Sequence, residues 1–255
     1  MCFDLDSEPP VPRVAGAAVS HDDLVLASAD GTRFAAFLAT PEATAATGIV
    51  ILPDVRGLYR FYEELALRFA ERGHAAIAFD YFGRTAGVEK RSADWDYMTH
   101  VRQTTPEGVL EDVGACVAEL RRRGARAVFT VGFCFGGHHS WLQAAAGHGL
   151  AGAIGFYGMP AGRGAGPGPT ELAERMECPI LALQAGDDQN ITAELNDAFD
   201  AALTAAGVEH EVRTYPGAPH SFFDRKQEEF AAASGDAWSR ILAFVERYGP
   251  TGPVL

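Results

Sequence analysis

No stretch of the 255-residue sequence is apolar over the ~18 residues that a membrane-spanning helix requires. Basic residues are scarce: 21 Lys and Arg stand against 34 Asp and Glu, a formal net charge of −13. Phosphate backbones are bound by basic faces, so nucleic acid and anionic membrane surfaces are poor partners for this chain. The acidity reads instead as a solubilising surface. Only four cysteines occur, Cys2, Cys116, Cys134 and Cys178, too scattered for a disulfide scaffold and without the CxxC pair of a zinc site. The first residues are acidic and Pro-rich, without the basic and apolar regions of a signal peptide, so a cytoplasmic location is the default expectation. Internal repeats and low-complexity tracts are lacking. The glycine-rich run at 158–169 lacks the GxxxxGK[ST] pattern and reads as a surface loop.

What is present is the composition of an ordinary globular protein, 47% hydrophobic and 22% charged. Residues 1–16 carry Pro9, Pro10 and Pro12 and read as an irregular arm on a single domain spanning 1–255. Strand-like residues 24–28 and 32–39 flank Asp30-Gly31, a hairpin signal. GIVIL at 48–52 is a run apolar at every position, the mark of a strand buried on both faces. From there helical and strand patterns alternate: helices at 59–72, 106–123, 137–146, 193–206 and 228–248, and strands at 75–79, 127–132, 151–156, 179–185 and 209–215. The segment 80–105 reads as long and irregular. Alternating units of this kind predict an α/β fold with a mostly parallel sheet of eight or nearly eight strands, helices on both faces and the hairpin at one edge.

The strongest chemical signal is Gly132-Phe133-Cys134-Phe135-Gly136-Gly137, between a predicted strand and a predicted helix. This is the setting of a nucleophile elbow, with Cys in place of Ser. Side chains two residues before and after the nucleophile would collide in so tight a turn, and both positions are Gly. The helix that follows points its N-terminus at the sulfur, which favours a thiolate and a developing oxyanion. Cys116, inside a predicted helix, and Cys178, before Pro179, read as small buried hydrophobes, and Cys2 as inert. A thiol nucleophile needs a base, and the base an orienting acid. A predicted strand ends at Gly186-Asp187-Asp188, so either aspartate stands at a sheet edge; His220 lies in a loop past the next strand. The chain order nucleophile, acid, His is that of α/β-hydrolases. His138 and His139 are adjacent and diverge around a helix, so no shared metal is expected, and no cofactor is implied.

With these motifs the chain resembles the dienelactone hydrolase family of the α/β-hydrolases. The resemblance rests on GFCFGG at 132–137, AGDD at 185–188 and PHSFF at 219–223, and runs from the second strand to the last helix. It implies an α/β-hydrolase fold and a small-molecule ester or lactone substrate. It makes Cys134 the nucleophile, His220 the base and Asp188 the acid. Asp54, in Leu52-Pro53-Asp54-Val55-Arg56-Gly57, takes the place of an acidic residue beside the resting thiol, where the family prefers Glu. The N–H groups of Val55 and Phe135 would form the oxyanion hole. Arg84 matches an arginine that binds a substrate carboxylate; a second such arginine is replaced by Asp224, with Arg225 next to it. Phe82, Trp95, Phe135, Tyr157 and Phe222 are either pocket walls or ordinary core. The expected activity is acyl transfer through a thioester, by a monomer or homodimer. The alternatives are a broad carboxylesterase for neutral activated esters, or a non-catalytic or redox-sensing protein of the same fold.

Overall fold

A computed structural model describes residues 3–89, 91, 94–162 and 166–250. Cys2 and residues 163–165 of the predicted glycine-rich loop therefore lie outside the described residues. The strands are β1 (Val19–Ala27), β2 (Arg33–Pro41), β3 (Thr47–Leu52), β4 (Ala75–Phe79), β5 (Ala127–Phe133), β6 (Gly152–Phe156), β7 (Ile180–Asp187) and β8 (His210–Pro219). The helices are α1 (Arg60–Ala70), α2 (Gly83–Ala86), α3 (Tyr97–Val101), α4 (Pro106–Arg122), α5 (Phe135–Gln143), α6 (Ala193–Ala206) and α7 (Ala231–Tyr248). All eight strands join one sheet in the order β1-β2-β4-β3-β5-β6-β7-β8. β1 and β2 pair antiparallel, as do β2 and β4; the other pairs are parallel. This is the mostly parallel α/β sheet expected from the alternating pattern, in the α/β-hydrolase arrangement that the resemblance implies.

Strand alternation explains the continuous apolar run of β3. Ile49 and Ile51 join the aromatic-rich core beneath α1 and α7, with Phe61, Phe69, Ile241 and Phe244. Val50 and Leu52 point the other way, into a core with Val109, Val113, Val117 and Leu120 of α4. Successive side chains leave a strand on opposite faces, and here both faces are covered. Trp141 of α5 and Phe199 of α6 seal a third cluster over β6 and β7. α4 begins as its sequence predicts: Thr105 caps it by accepting from Gly108 N at 3.1 Å, with Pro106 in the first turn.

Three expectations are corrected. The hairpin strands run longer than the apolar pattern suggests, because β1 pairs with β2 from Val19 onward although its residues are largely exposed. The segment 80–105 is not wholly irregular but holds α2 and α3. The helix after the elbow starts at Phe135 rather than two residues later, so it begins directly behind Cys134. The arm reads as irregular and its described residues hold no helix or strand, yet it is packed: Phe3 and Val11 belong to the core. Cys116 and Cys178 are buried free thiols, both pushed up by burial, Cys178 to about 12. Among the described residues no helix is long and apolar enough to cross a membrane.

The packing predicts a contrast. Ile77→Ala, at the centre of β4 and fully buried, should cost about 2–5 kcal/mol in urea denaturation. Val25→Ala, on the exposed edge strand, should change stability by less than about 0.5 kcal/mol.

Candidate active site

The C-terminal ends of the parallel strands converge on one edge of the sheet. β5 delivers Cys134, which sits at φ 56 and ψ −110. A Cβ at Gly132 would lie 1.9 Å from the Gly136 carbonyl oxygen, and one at Gly136 would lie 2.1 Å from the Leu52 carbonyl oxygen. Both positions must therefore be glycine, as the steric reading of the motif requires. The Cys134 amide donates to Phe156 O at 3.0 Å, tying the turn to β6. Phe135 is the first residue of α5, so its N–H belongs to the set without an acceptor inside the helix.

β7 and β8 supply the other two groups. Asp188 follows the last residue of β7, and its Oδ2 lies 2.5 Å from His220 Nδ1. Its Oδ1 accepts from the amides of Asn190 at 2.9 Å and Ile191 at 3.2 Å. The side chain is nearly sealed, at 1% exposure. Burial works to raise its pKa, and the bonds from His220 and the two amides outweigh burial and hold it below the ordinary value. Asp187 is more exposed and faces Gln189, so the geometry selects Asp188 as the partner of the imidazole. His220 also hydrogen-bonds Cys134. Burial pulls the imidazole down, but the contacts with Asp188 and Cys134 prevail and raise it to about 9. Thiol, imidazole and carboxylate thus form one continuous line.

Among the described residues three non-glycines adopt positive φ: Cys134 at 56°, Tyr157 at 33° and Ser221 at 70°. Tyr157 directly follows β6, with its ring 4.8 Å from the His220 ring, and Ser221 follows His220 in the chain.

Asp54, which the resemblance places beside the resting thiol, is bound on both carboxylate oxygens by Arg56 and Tyr59. Its carboxylate is fully buried, and Oδ1 accepts from Arg56 N at 2.9 Å and Nε at 3.3 Å. Oδ2 accepts from Arg56 Nη2 and from the Tyr59 hydroxyl, both at 3.0 Å. The Arg56 guanidinium also donates to the Tyr59 hydroxyl and stacks 4.4 Å above its ring. The short aspartate is committed to the turn that carries Val55. Tyr62 accepts from Asp54 N at 2.9 Å, and Tyr81 donates to Pro53 O at 2.6 Å, so both sides of that turn are fixed. Arg56 and Tyr59 were not marked by any sequence pattern; only the proximity of Arg56 to Asp54 hints at the pairing.

The expected carboxylate-binding arginines are likewise occupied. Arg84 bonds Asp112 at 2.5 Å and Asp30 at 2.9 Å. Arg225 pairs with Glu8 of the arm, and Asp224 is buried against Ser7. Phe82, Tyr157 and Phe222 are fully buried, which makes them packing behind the site rather than surface a substrate touches. Trp95 is half-buried against Phe82, His100 and Arg91, and Phe135 is half-buried against Tyr81 and His139. His138 bonds Met159 O at 2.7 Å, and His139 is buried and pushed down to about 3, first by burial and then by His138. Among the described residues no group of three or more metal-ligating side chains is assembled.

A family model described as the dienelactone hydrolase family matches residues 34–249. The chain belongs to this family. A carboxymethylenebutenolidase of Rhodococcus opacus is 30% identical over 263 residues, covering 99% of each chain. A Klebsiella pneumoniae structure assigned as a dienelactone hydrolase superposes with TM-score 0.80 at 25% identity, covering 91% of this chain and all of that one. A dienelactone hydrolase-like promiscuous phosphotriesterase from metagenomic libraries shares the fold, with TM-score 0.75 at 22% identity over 92% of this chain and all of that one. The dienelactone hydrolase family is a family of hydrolases, and the elbow, acid and histidine all lie within the matched region.

The buried clamp yields a test. Asp54→Ala would leave the Arg56 charge enclosed without its partner, which should cost about 3–5 kcal/mol in chemical denaturation. Asp54→Asn keeps acceptors for the turn and should cost less.

Proposed function

We propose that this dienelactone hydrolase family member cleaves ester or lactone bonds through a thioester on Cys134. The observation that carries the reading is the line Asp188–His220–Cys134 at the ends of β7, β8 and β5. His220 takes the thiol proton, and the thiolate attacks the carbonyl carbon. The developing oxyanion is received by the N–H groups of Val55 and Phe135, each such donor being worth ~2.7–4 kcal/mol. The carbonyl–oxygen bond breaks as the imidazolium returns its proton to the leaving oxygen. Water, deprotonated by His220, then attacks the thioester; the carbon–sulfur bond breaks, and the carboxylic acid leaves.

A second reading of the substrate has its own support. Arg84 and Arg225 are each paired with carboxylates of this chain, which favours neutral activated esters over a lactone bearing a carboxylate. Turnover of a neutral aryl ester against a carboxylate-bearing lactone distinguishes the two.

Mass spectrometry of the intact protein after brief exposure to aryl esters should reveal an acyl adduct that maps to Cys134. Cys134→Ala should lose the adduct and about 10³-fold or more of the activity; full activity in that variant would reject the nucleophile. The pH dependence has a definite sign. The imidazolium is the acid for the leaving group, so acylation should decline as pH rises through about 9. Asp188→Asn removes the carboxylate charge, one of the two partners that raise His220, and this alkaline limb should move down toward 6.5. Stability follows the same linkage: the contribution of the His220 contacts is complete below 6.5 and is lost as pH climbs through about 9.

A further inference from the structure

The arm touches both loops that carry the reacting pair. Phe3, almost fully buried, stacks on Phe61 with ring centroids 4.0 Å apart. It also meets the edge of Phe133, the residue before Cys134, at 6.2 Å. Ser7 is fully buried, and its hydroxyl donates to Asp224 Oδ2 at 3.0 Å. The Glu8 carbonyl accepts from Arg225 N at 3.1 Å, while its carboxylate pairs with Arg225 and Arg60. Asp6 pairs with Lys226. Residues 224–226 follow His220 closely, so one short segment grips the elbow strand and the histidine segment together.

The histidine segment needs such a grip. Ser221 holds φ 70 without being glycine. A left-handed non-glycine residue is unfavourable and persists only where its surroundings over-determine it. On the core side, Phe222 and Phe223 are buried and Phe222 O accepts from Ser234 Oγ at 3.0 Å. On the outer side the holding groups come from the arm. Asp224 is only 5% exposed; its Oδ1 accepts from Lys226 N at 2.9 Å, and the Ser7 hydroxyl serves Oδ2. Losing that hydroxyl would strip a buried carboxylate oxygen of its donor. The family model begins at residue 34, so the arm's side of this contact lies outside the matched region.

We infer that residues 3–8 are a positioning strap: Phe3 against the strand end before Cys134, and Ser7 with Glu8 against the segment after His220, together fix the separation of thiol and imidazole. Ser7 is the positioning residue at its centre. The inference rests on the thiol–imidazole reading of the site, and its test separates the two.

Ser7→Ala deletes the hydroxyl and Ser7→Thr keeps it. Each variant is measured below its own melting temperature in two ways. The first is kcat and KM on an aryl ester. The second is the pH profile of Cys134 alkylation by iodoacetamide, read on the Cys134 peptide. Ser7→Ala should lower kcat roughly 10- to 100-fold with KM nearly unchanged. Its alkylation midpoint should move toward higher pH as the imidazolium loosens. Ser7→Thr should recover both. A Ser7→Ala variant that melts earlier but keeps the wild-type kcat and alkylation profile would overturn the strap. If Ser7→Ala does not fold, Phe3→Ala is read in the same way with the same two outcomes. If the wild type cleaves no ester while the alkylation profile still shifts in Ser7→Ala and returns in Ser7→Thr, the strap stands and the hydrolase proposal falls.

Discussion

At the end of β5 the backbone folds back so tightly that even a methyl group at Gly132 would strike the Gly136 carbonyl. Every other feature of the site depends on this approach. It forces Cys134 into the left-handed region and starts α5 directly behind it. It also brings the elbow against the carbonyls of Leu52 and Pro53, at the end of β3. The strand that leads to Val55 and the strand that leads to Cys134 are thereby held at one fixed distance. β3 and β5 are neighbours paired from Thr47 to Leu52, so the sheet register sets where these two amides stand.

Charge is managed around this edge by one rule, that an enclosed ion must have a partner. Asp54 is met by Arg56, Asp80 by Arg91, and Asp112 by Arg84 and the Ser28 hydroxyl. An arginine near a strand end is thus not free to greet a substrate merely because of its place in the chain. The same accounting applies to the surface. A net charge of −13 repels anions at long range, and Arg84 and Arg225, which would otherwise reverse this locally, are paired with carboxylates of the chain. Both effects favour uncharged acyl compounds as the proposed substrates.

Much of this was legible in the sequence because its signals are local or ordered. The elbow is six consecutive residues, and its glycines report a clash between atoms close in the chain. The parallel strands announce themselves as apolar runs because both faces are buried. The order of nucleophile, acid and histidine survives as spacing. Asp188 could not be separated from Asp187 by pattern, since both stand at the strand end; only the turn that aims one Oδ at His220 and the other at two backbone amides decides it. Other features were hidden for a similar reason. The Asp54–Arg56–Tyr59 clamp depends on how one turn folds over α1, and Ser7 meets Asp224 across 217 residues. Of the aromatics read as either pocket wall or core, Phe82, Tyr157 and Phe222 are buried, because an aromatic gains as much from packing behind a site as from facing it.

The distribution of backbone strain makes an independent argument. A non-glycine residue in the left-handed region is unfavourable, so a fold keeps one only where neighbouring contacts enforce it. The three in the described residues are the nucleophile candidate itself, the tyrosine whose ring lies against His220, and the serine that follows His220. They lie just past the ends of β5, β6 and β8, and sequence gives no reason for them to coincide. If this edge were simply where the sheet stops, relaxation of any one turn would be downhill. The strain is retained at the three points that govern where a sulfur and an imidazole meet, which is what a site built for proton transfer between those two groups demands.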